Sequence, residues 1–336
     1  MKLMTYRLAS HTEIGALALS ERVVRLDAAH RALRGTAQAH FVDMLAFLRG
    51  NGEARELAAT LVEEVERRGV DEAMTTLADI TLLAPVPVPE SIREFMHALA
   101  SAPATEEATL DPIFEQYAVA CTRKFGMGPW RRSLHDAWCE LPIYRKGSRS
   151  LVVGHGRDVM MPRDTNVFDY ELEFGVFLSR GGCNIAAERV SEHIGGYVVF
   201  NDFSARDIHG RELLCCLEPA TSDDFNAGNA MGPVLVTPDE LPDPYALAMT
   251  ARVNGREDRR GTSADMRFRF EDVIAYVSHY ETLHPGEFFG SGTCSSAPGV
   301  PRGVEHGRFL REGDVVELEV ERLGVLRNRV VKALVA

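Results

Sequence analysis

With 336 residues and 45% hydrophobic composition, the chain can build one large domain with a smaller appendage, or two domains, around a substantial core. A formal net charge of −12 argues against nucleic acid or an anionic membrane as partner, since both demand clustered positive charge. No apolar stretch reaches the length of a membrane span, Met1-Lys2-Leu3-Met4-Thr5-Tyr6-Arg7 lacks the apolar core of a secretory signal, and the six cysteines form no Cys-x-x-Cys. The expectation is a cytoplasmic protein with reduced thiols.

In chain order, Lys2 to Leu8, Glu13 to Leu19 and Arg22 to Leu26 read as extended, forming a small β unit. Two helices follow. Phe41, Met44, Leu45 and Leu48 recur at helical spacing until Gly50-Asn51-Gly52, and Leu57, Leu61 and Val65 stripe the second helix. Pro85, Pro87 and Pro89 make a stiff extended linker, because each proline disfavours helix in the residue before it. This divides the chain into an N-terminal α+β domain (1–84), a linker with a helical insertion (85–140) and a β-rich domain (141–336). Within the insertion, Ser91 is expected to cap a short helix through Leu99, and a second helical stretch runs from Pro112 to about Lys124. Beyond Leu141, short β-like runs alternate with Gly, Pro and Asp turns, with helices near Ala187–His193 and Phe270–Tyr280.

Two segments of that last part carry chemistry. In Asp169-Tyr170-Glu171-Leu172-Glu173-Phe174 polar and apolar residues alternate, so Glu171 and Glu173 project from one face of a half-buried strand. Gly195-Gly196-Tyr197-Val198-Val199-Phe200 reads as a buried strand with Asp202 at its end. Three carboxylates brought together repel one another unless a cation neutralises them, and oxygen ligands select a hard divalent ion over zinc.

Asp169-Tyr170-Glu171-Leu172-Glu173 and Asn201-Asp202-Phe203-Ser204-Ala205-Arg206-Asp207 resemble signatures of the fumarylacetoacetate hydrolase superfamily. So do Thr282-Leu283-His284-Pro285-Gly286-Glu287, Gly290-Ser291-Gly292-Thr293 and Gly313-Asp314-Val315-Val316-Glu317-Leu318, in the same order and with similar spacing. The resemblance runs from about Glu140 to the C-terminus. It implies an α+β, mainly β fold with a rolled mixed-sheet core, and usually a homodimer. It also implies a divalent cation, foremost Mg²⁺ with Ca²⁺ or Mn²⁺ as alternatives, on Glu171, Glu173 and Asp202. Glu94 stands where some members have a fourth carboxylate ligand, or else is a solvated residue in the first turn of a helix.

By the same resemblance, Arg206 either binds substrate or braces its loop through Asp207, Thr293 is a substrate-contacting position or else a plain turn residue, and Glu305 orients a catalytic histidine. That histidine is displaced here: its position falls on Ser101 or Tyr117, with His97 out of register by about a helical turn. Asp223 stands where many members carry a lysine, and it faces either the site or solvent; His209 replaces a glutamine. His209 is therefore expected to take over acid–base work, with Tyr117 as its rival. The leading expectation is a hydrolase cleaving a C–C bond in a small β-diketo or acylpyruvate-type carboxylic acid. A decarboxylase, tautomerase or related lyase on the same metal–enolate chemistry is the alternative. A non-catalytic acid binder is the third reading, disfavoured because idle clustered carboxylates cost stability.

Overall fold

A computed structural model of the protein describes residues 1–95, 140–214, 220–294 and 309–333. Its first strands are β1 (Lys2–Leu8), β2 (His11–Leu17), β3 (Val23–Arg25), β4 (Met74–Thr75), β5 (Thr81–Leu82), β6 (Ile92–Phe95), β7 (Tyr144–Gly147), β8 (Val152–Val153), β9 (Asp158–Met161) and β10 (Phe168–Asp169). The later ones are β11 (Glu173–Leu178), β12 (Ile194–Asp202), β13 (Ser204–Ala205), β14 (Asn229–Val236), β15 (Ala248–Val253), β16 (Arg256–Thr262), β17 (Phe288–Gly290), β18 (Val315–Val320) and β19 (Gly324–Lys332). The α-helices among the described residues are α1 (Leu26–Arg34), α2 (Met44–Arg68), α3 (Arg206–Leu214) and α4 (Phe270–Ser278).

The strands make a large mixed sheet in the order β4-β3-β2-β1-β14-β12-β11-β17-β6-β7, a five-stranded sheet β16-β15-β18-β19-β9 and a short β10–β13 ribbon. Pairing β17–β6, β14–β8 and β19–β9 is parallel, and the rest is antiparallel. The expected α+β, strand-rich fold is what the chain adopts. The cut expected at Ala84 does not coincide with a break in hydrogen bonding: β1 pairs with β14, so the N-terminal strands extend the sheet of the later ones.

Two apolar layers sandwich the large sheet, and strand alternation assigns each side chain to one of them. Tyr197 and Val199 of β12 and Phe174, Val176 and Leu178 of β11 pack toward the five-stranded sheet, against Ala251, Leu318 and Leu326. Val198 and Phe200, Phe177 of β11, Phe288 of β17 and Ile92 of β6 pack on the opposite face with Phe47, Leu48 and Leu61 of α2. At about 25 cal/mol per Å² of apolar surface, these layers dominate the stability of the fold.

Helix α2 runs through both expected helices, with its break at Asn51 (φ 48°), inside the Gly50-Asn51-Gly52 stop. Ser179 Oγ donates to Asn51 Oδ1 at 3.1 Å, tying the kink to the end of β11. Two expectations are corrected. Ser91–Leu99 is not a helix where it is described: Ile92–Phe95 is a strand, because β17 on one side and β7 on the other satisfy its backbone while both side-chain faces are buried. Nor is the 169–174 segment one half-wet strand. Phe168–Asp169 pairs with β13, and β11 begins only at Glu173 and is buried throughout. Among the described residues, no helix is long and apolar enough to cross a membrane.

Candidate active site

The face that carries Ile92, Phe177, Phe200 and Phe288 turns from apolar to acidic along the strands. Two residues beyond Ile92 on β6 lies Glu94, two beyond Phe200 on β12 lies Asp202, and Glu173 opens β11 on the same face as Phe177. Cross-strand register brings them together: Glu173 pairs with Phe200, Gly175 with Gly290, and Gly290 with Glu94. A Cβ on Gly290 would stand 3.3 Å from Glu173 Oε2 and from the Phe200 ring, so glycine keeps the space between the acids open. Glu94, Glu173 and Asp202 are all buried. Glu94 is therefore no solvated helix residue.

Arg145 of β7, directly opposite Glu94, completes this face. Its guanidinium pairs closely with Glu94 and with Asp202 at 3.0 Å. On its other side are Asp223 at 3.6 Å and Asp224 at 3.5 Å. Asp223 is thus inside the site and not in solvent, and the anion replacing the family's lysine is matched by a cation that the motifs did not reveal.

A second cation stands at Glu171. Arg206, which opens α3, pairs with Glu171 at 2.6 Å and with Asp169 at 3.6 Å. Thr293 Oγ1 donates to Glu171 Oε2 at 2.6 Å and Ser204 Oγ to Oε1 at 3.2 Å, while the Glu171 N–H donates to Asn201 Oδ1. Burial works to raise the Glu171 pKa, but Arg206 and hydrogen bonds from Glu173, Thr293 and Arg206 bring it down to about 2. Glu173 goes the other way. Burial and the charges of Glu171, Asp202 and Glu94 lift it far above the carboxylate range, and its Oε2 has no hydrogen-bond partner. Burial and Glu94 lift Asp202 likewise against Arg145, and burial carries Glu94 itself up to about 7.

Seven carboxyl groups (Glu94, Asp169, Glu171, Glu173, Asp202, Asp223 and Asp224) meet two guanidiniums, Arg145 and Arg206. That excess of buried oxygen donors, with Glu173 Oε2 unpartnered, fits a hard divalent cation. As placed, no three His, Cys, Asp or Glu side chains among the described residues already surround one coordination point. His209, on the first turns of α3, is buried among Asp223, Arg206, Glu171 and Arg145. Burial lowers its pKa against the pull of Asp223, which keeps the imidazole neutral near pH 7.

The structure therefore brings together Glu94, Glu171, Glu173, Asp202, Arg206, His209, Asp223 and Thr293. Tyr117 and Glu305, with Ser101 and His97, lie outside the described residues. Arg145 is the residue that sequence reasoning missed. Its only signal is a charge at an inward position of the short Tyr144–Gly147 strand.

Residues 127–331 match the family described as fumarylacetoacetate (FAA) hydrolase C-terminal, well over half of the chain. The chain belongs to the fumarylacetoacetate hydrolase family. The mitochondrial oxaloacetate tautomerase Fahd2a of Rattus norvegicus is 32% identical over 276 residues, covering 82% of this chain and 80% of that protein. The mitochondrial oxaloacetate tautomerase FAHD2A of Homo sapiens is 35% identical over 194 residues, 56% of this chain and 59% of that protein. Among solved structures, maleylpyruvate hydrolase from Sphingobium sp. SYK-6 in complex with manganese (II) ion and pyruvate superposes with a TM-score of 0.66 at 18% identity. That superposition covers 99% of this chain and 100% of the other, and at such identity it shows the shared fold.

Proposed function

We propose that the protein is a divalent-cation-dependent tautomerase, interconverting the keto and enol forms of a small 2-keto dicarboxylic acid such as oxaloacetate. The observation that carries this reading is the match to an oxaloacetate tautomerase across 82% of the chain. It takes the place of C–C hydrolysis as the leading reading. The buried acids are consistent with both, but tautomerisation moves only a proton and needs no activated water.

In this reading Glu171, Glu173 and Asp202 hold the cation, Mg²⁺ or Mn²⁺, with Glu94 as a fourth ligand. Held there, a cation would supply Lewis acidity toward a 2-oxo carboxylate. His209 Nε2 or Nδ1 takes the proton from the carbon next to the carbonyl and returns it to oxygen, Asp223 steadying the imidazolium formed in between. Arg206 and Thr293 fix Glu171 and, at the edge of the site, the substrate's carboxylate. The chain works as a homodimer, which light scattering at micromolar concentration would show as twice the mass of 37.1 kDa.

The test follows enol absorbance and total oxaloacetate together, with Mg²⁺ and with a chelator. Faster keto–enol equilibration with no loss of total oxaloacetate supports the reading. Release of CO₂ and pyruvate above the metal-only rate, or of oxalate and acetate, overturns it. His209→Gln should lower kcat by about 10²-fold with cation binding retained, and unchanged turnover would leave His209 a bystander.

A further inference from the structure

We propose that Arg145 is a resident counter-cation of the acidic face, which withdraws from Glu94 and Asp202 when a divalent cation binds and thereby sets the site's metal affinity. The proposal rests on the reading above that the site takes such a cation.

Arg145 is buried, and two of its four carboxylate partners, Glu94 and Asp202, are candidate ligands. While the guanidinium sits on them, it engages Glu94 Oε2 and both Oδ atoms of Asp202, the latter at 3.2 and 3.0 Å. A guanidinium cannot step aside by losing its proton, so cation and arginine compete for the same oxygens at every pH in the working range. The geometry also supplies a place of retreat. Asp223 meets the guanidinium at Nε (3.6 Å) and Asp224 at Nη1 (3.5 Å), whereas Glu94 and Asp202 share Nη2, and Asp223 Oδ1 has no hydrogen-bond partner. A side-chain rotation, with β7 unmoved, would exchange one pair of acids for the other.

If Arg145 served only to brace the fold, removing it would weaken cation binding along with stability. As a competitor, its removal does the reverse. Mn²⁺ binding, read from the electron paramagnetic resonance signal of the free ion and by calorimetry, should tighten by about 10-fold or more in Arg145→Gln, since a like charge leaves the cation's neighbourhood. The cation-free variant should melt below wild type and gain more from Mn²⁺ than wild type does. Arg145→Lys keeps the positive charge and should bind Mn²⁺ much as wild type does. Should Arg145→Gln fail to fold, the arginine side-chain ¹⁵N resonance that Arg145→Lys removes gives the answer in wild type: Mg²⁺ saturation must shift it. Mn²⁺ binding in folded Arg145→Gln no tighter than in wild type, or an unshifted resonance at saturation, overturns the proposal. Absence of cation binding in wild type and variants alike would instead overturn the metal reading on which it stands.

Discussion

Arg93 and Glu94 are neighbours on β6 and point to opposite faces of one sheet, and their surroundings are opposites too. Arg93 donates to Glu287 at 2.7 Å and Glu281 at 2.9 Å and lies over the Phe289 ring, while Lys146 pairs with Glu281 and Tyr144 donates to it. Two cations there answer two carboxylates. Against the burial that would raise it, Lys146, Arg93 and Tyr144 hold Glu281 down to about 2. Glu94 sits among more acids than cations, and burial pushes it up to about 7. A charge network that closes on itself serves the fold. One left with surplus negative charge is stable only with protons or a cation added, and that surplus marks the face with a chemical task.

The widest separation between the two faces should come from Asp202→Ala. On the acidic face it is expected to abolish Mn²⁺ binding by calorimetry and lower turnover by about 10³-fold, the protein remaining folded by circular dichroism. Undiminished Mn²⁺ affinity would remove Asp202 from the ligand set. On the balanced face, Arg93→Met leaves Glu287 buried without its partner and should cost about 3–5 kcal/mol in denaturant unfolding, with Mn²⁺ affinity unchanged. A parallel loss of cation binding would mean the two faces are not separate.

Acidity offers a gentler probe. The folded-state values of Glu94, Glu173 and Asp202 are raised, so folding favours their protonated forms. Their contribution is full below the ordinary carboxylate range and drains away as pH rises above it, that of Glu94 through about 7. The cation-free protein should therefore melt at lower temperature at about pH 8 than at about pH 5, and saturating Mn²⁺ should remove that slope. A cation-free melting temperature that climbs over this window would contradict the surplus. The smallest effect belongs to Lys146→Gln: its partner Glu281 is partly exposed, so less than about 1 kcal/mol is expected in the same unfolding measurement.

Much of the acidic face was legible because it is written locally. Glu171, Glu173 and Asp202 sit in two short motifs, Glu173 at the opening of a strand and Asp202 at the end of an apolar run, although 169–174 is not the single strand that its alternation predicts. Strand β6 was misread for an equally local reason: Ser91 followed by Glu94 at three residues' distance is the pattern of a helix N-terminus, and pairing with β17 overrode it. Helix α1 was passed over although Asp27 in its first turn, Arg31 and Arg34 in its last and Gly35 beyond are ordinary boundary signals. Arg145 was hidden for a deeper reason. Its meaning comes from Glu94 across a strand pair, Asp202 57 residues away and the Asp223-Asp224 loop, none of which its own neighbours in sequence announce.

The register of this sheet carries one more consequence. On β6, β11 and β12 acids and bulky apolar residues share a face, and the other face of β11 and β12 meets a largely apolar layer. A slip of one residue in pairing would swing Glu173 or Asp202 into that layer, where no arginine or ion could reach them. The acids thus discriminate against misaligned sheets during folding: the same charges that burden the native state make its near misses far worse.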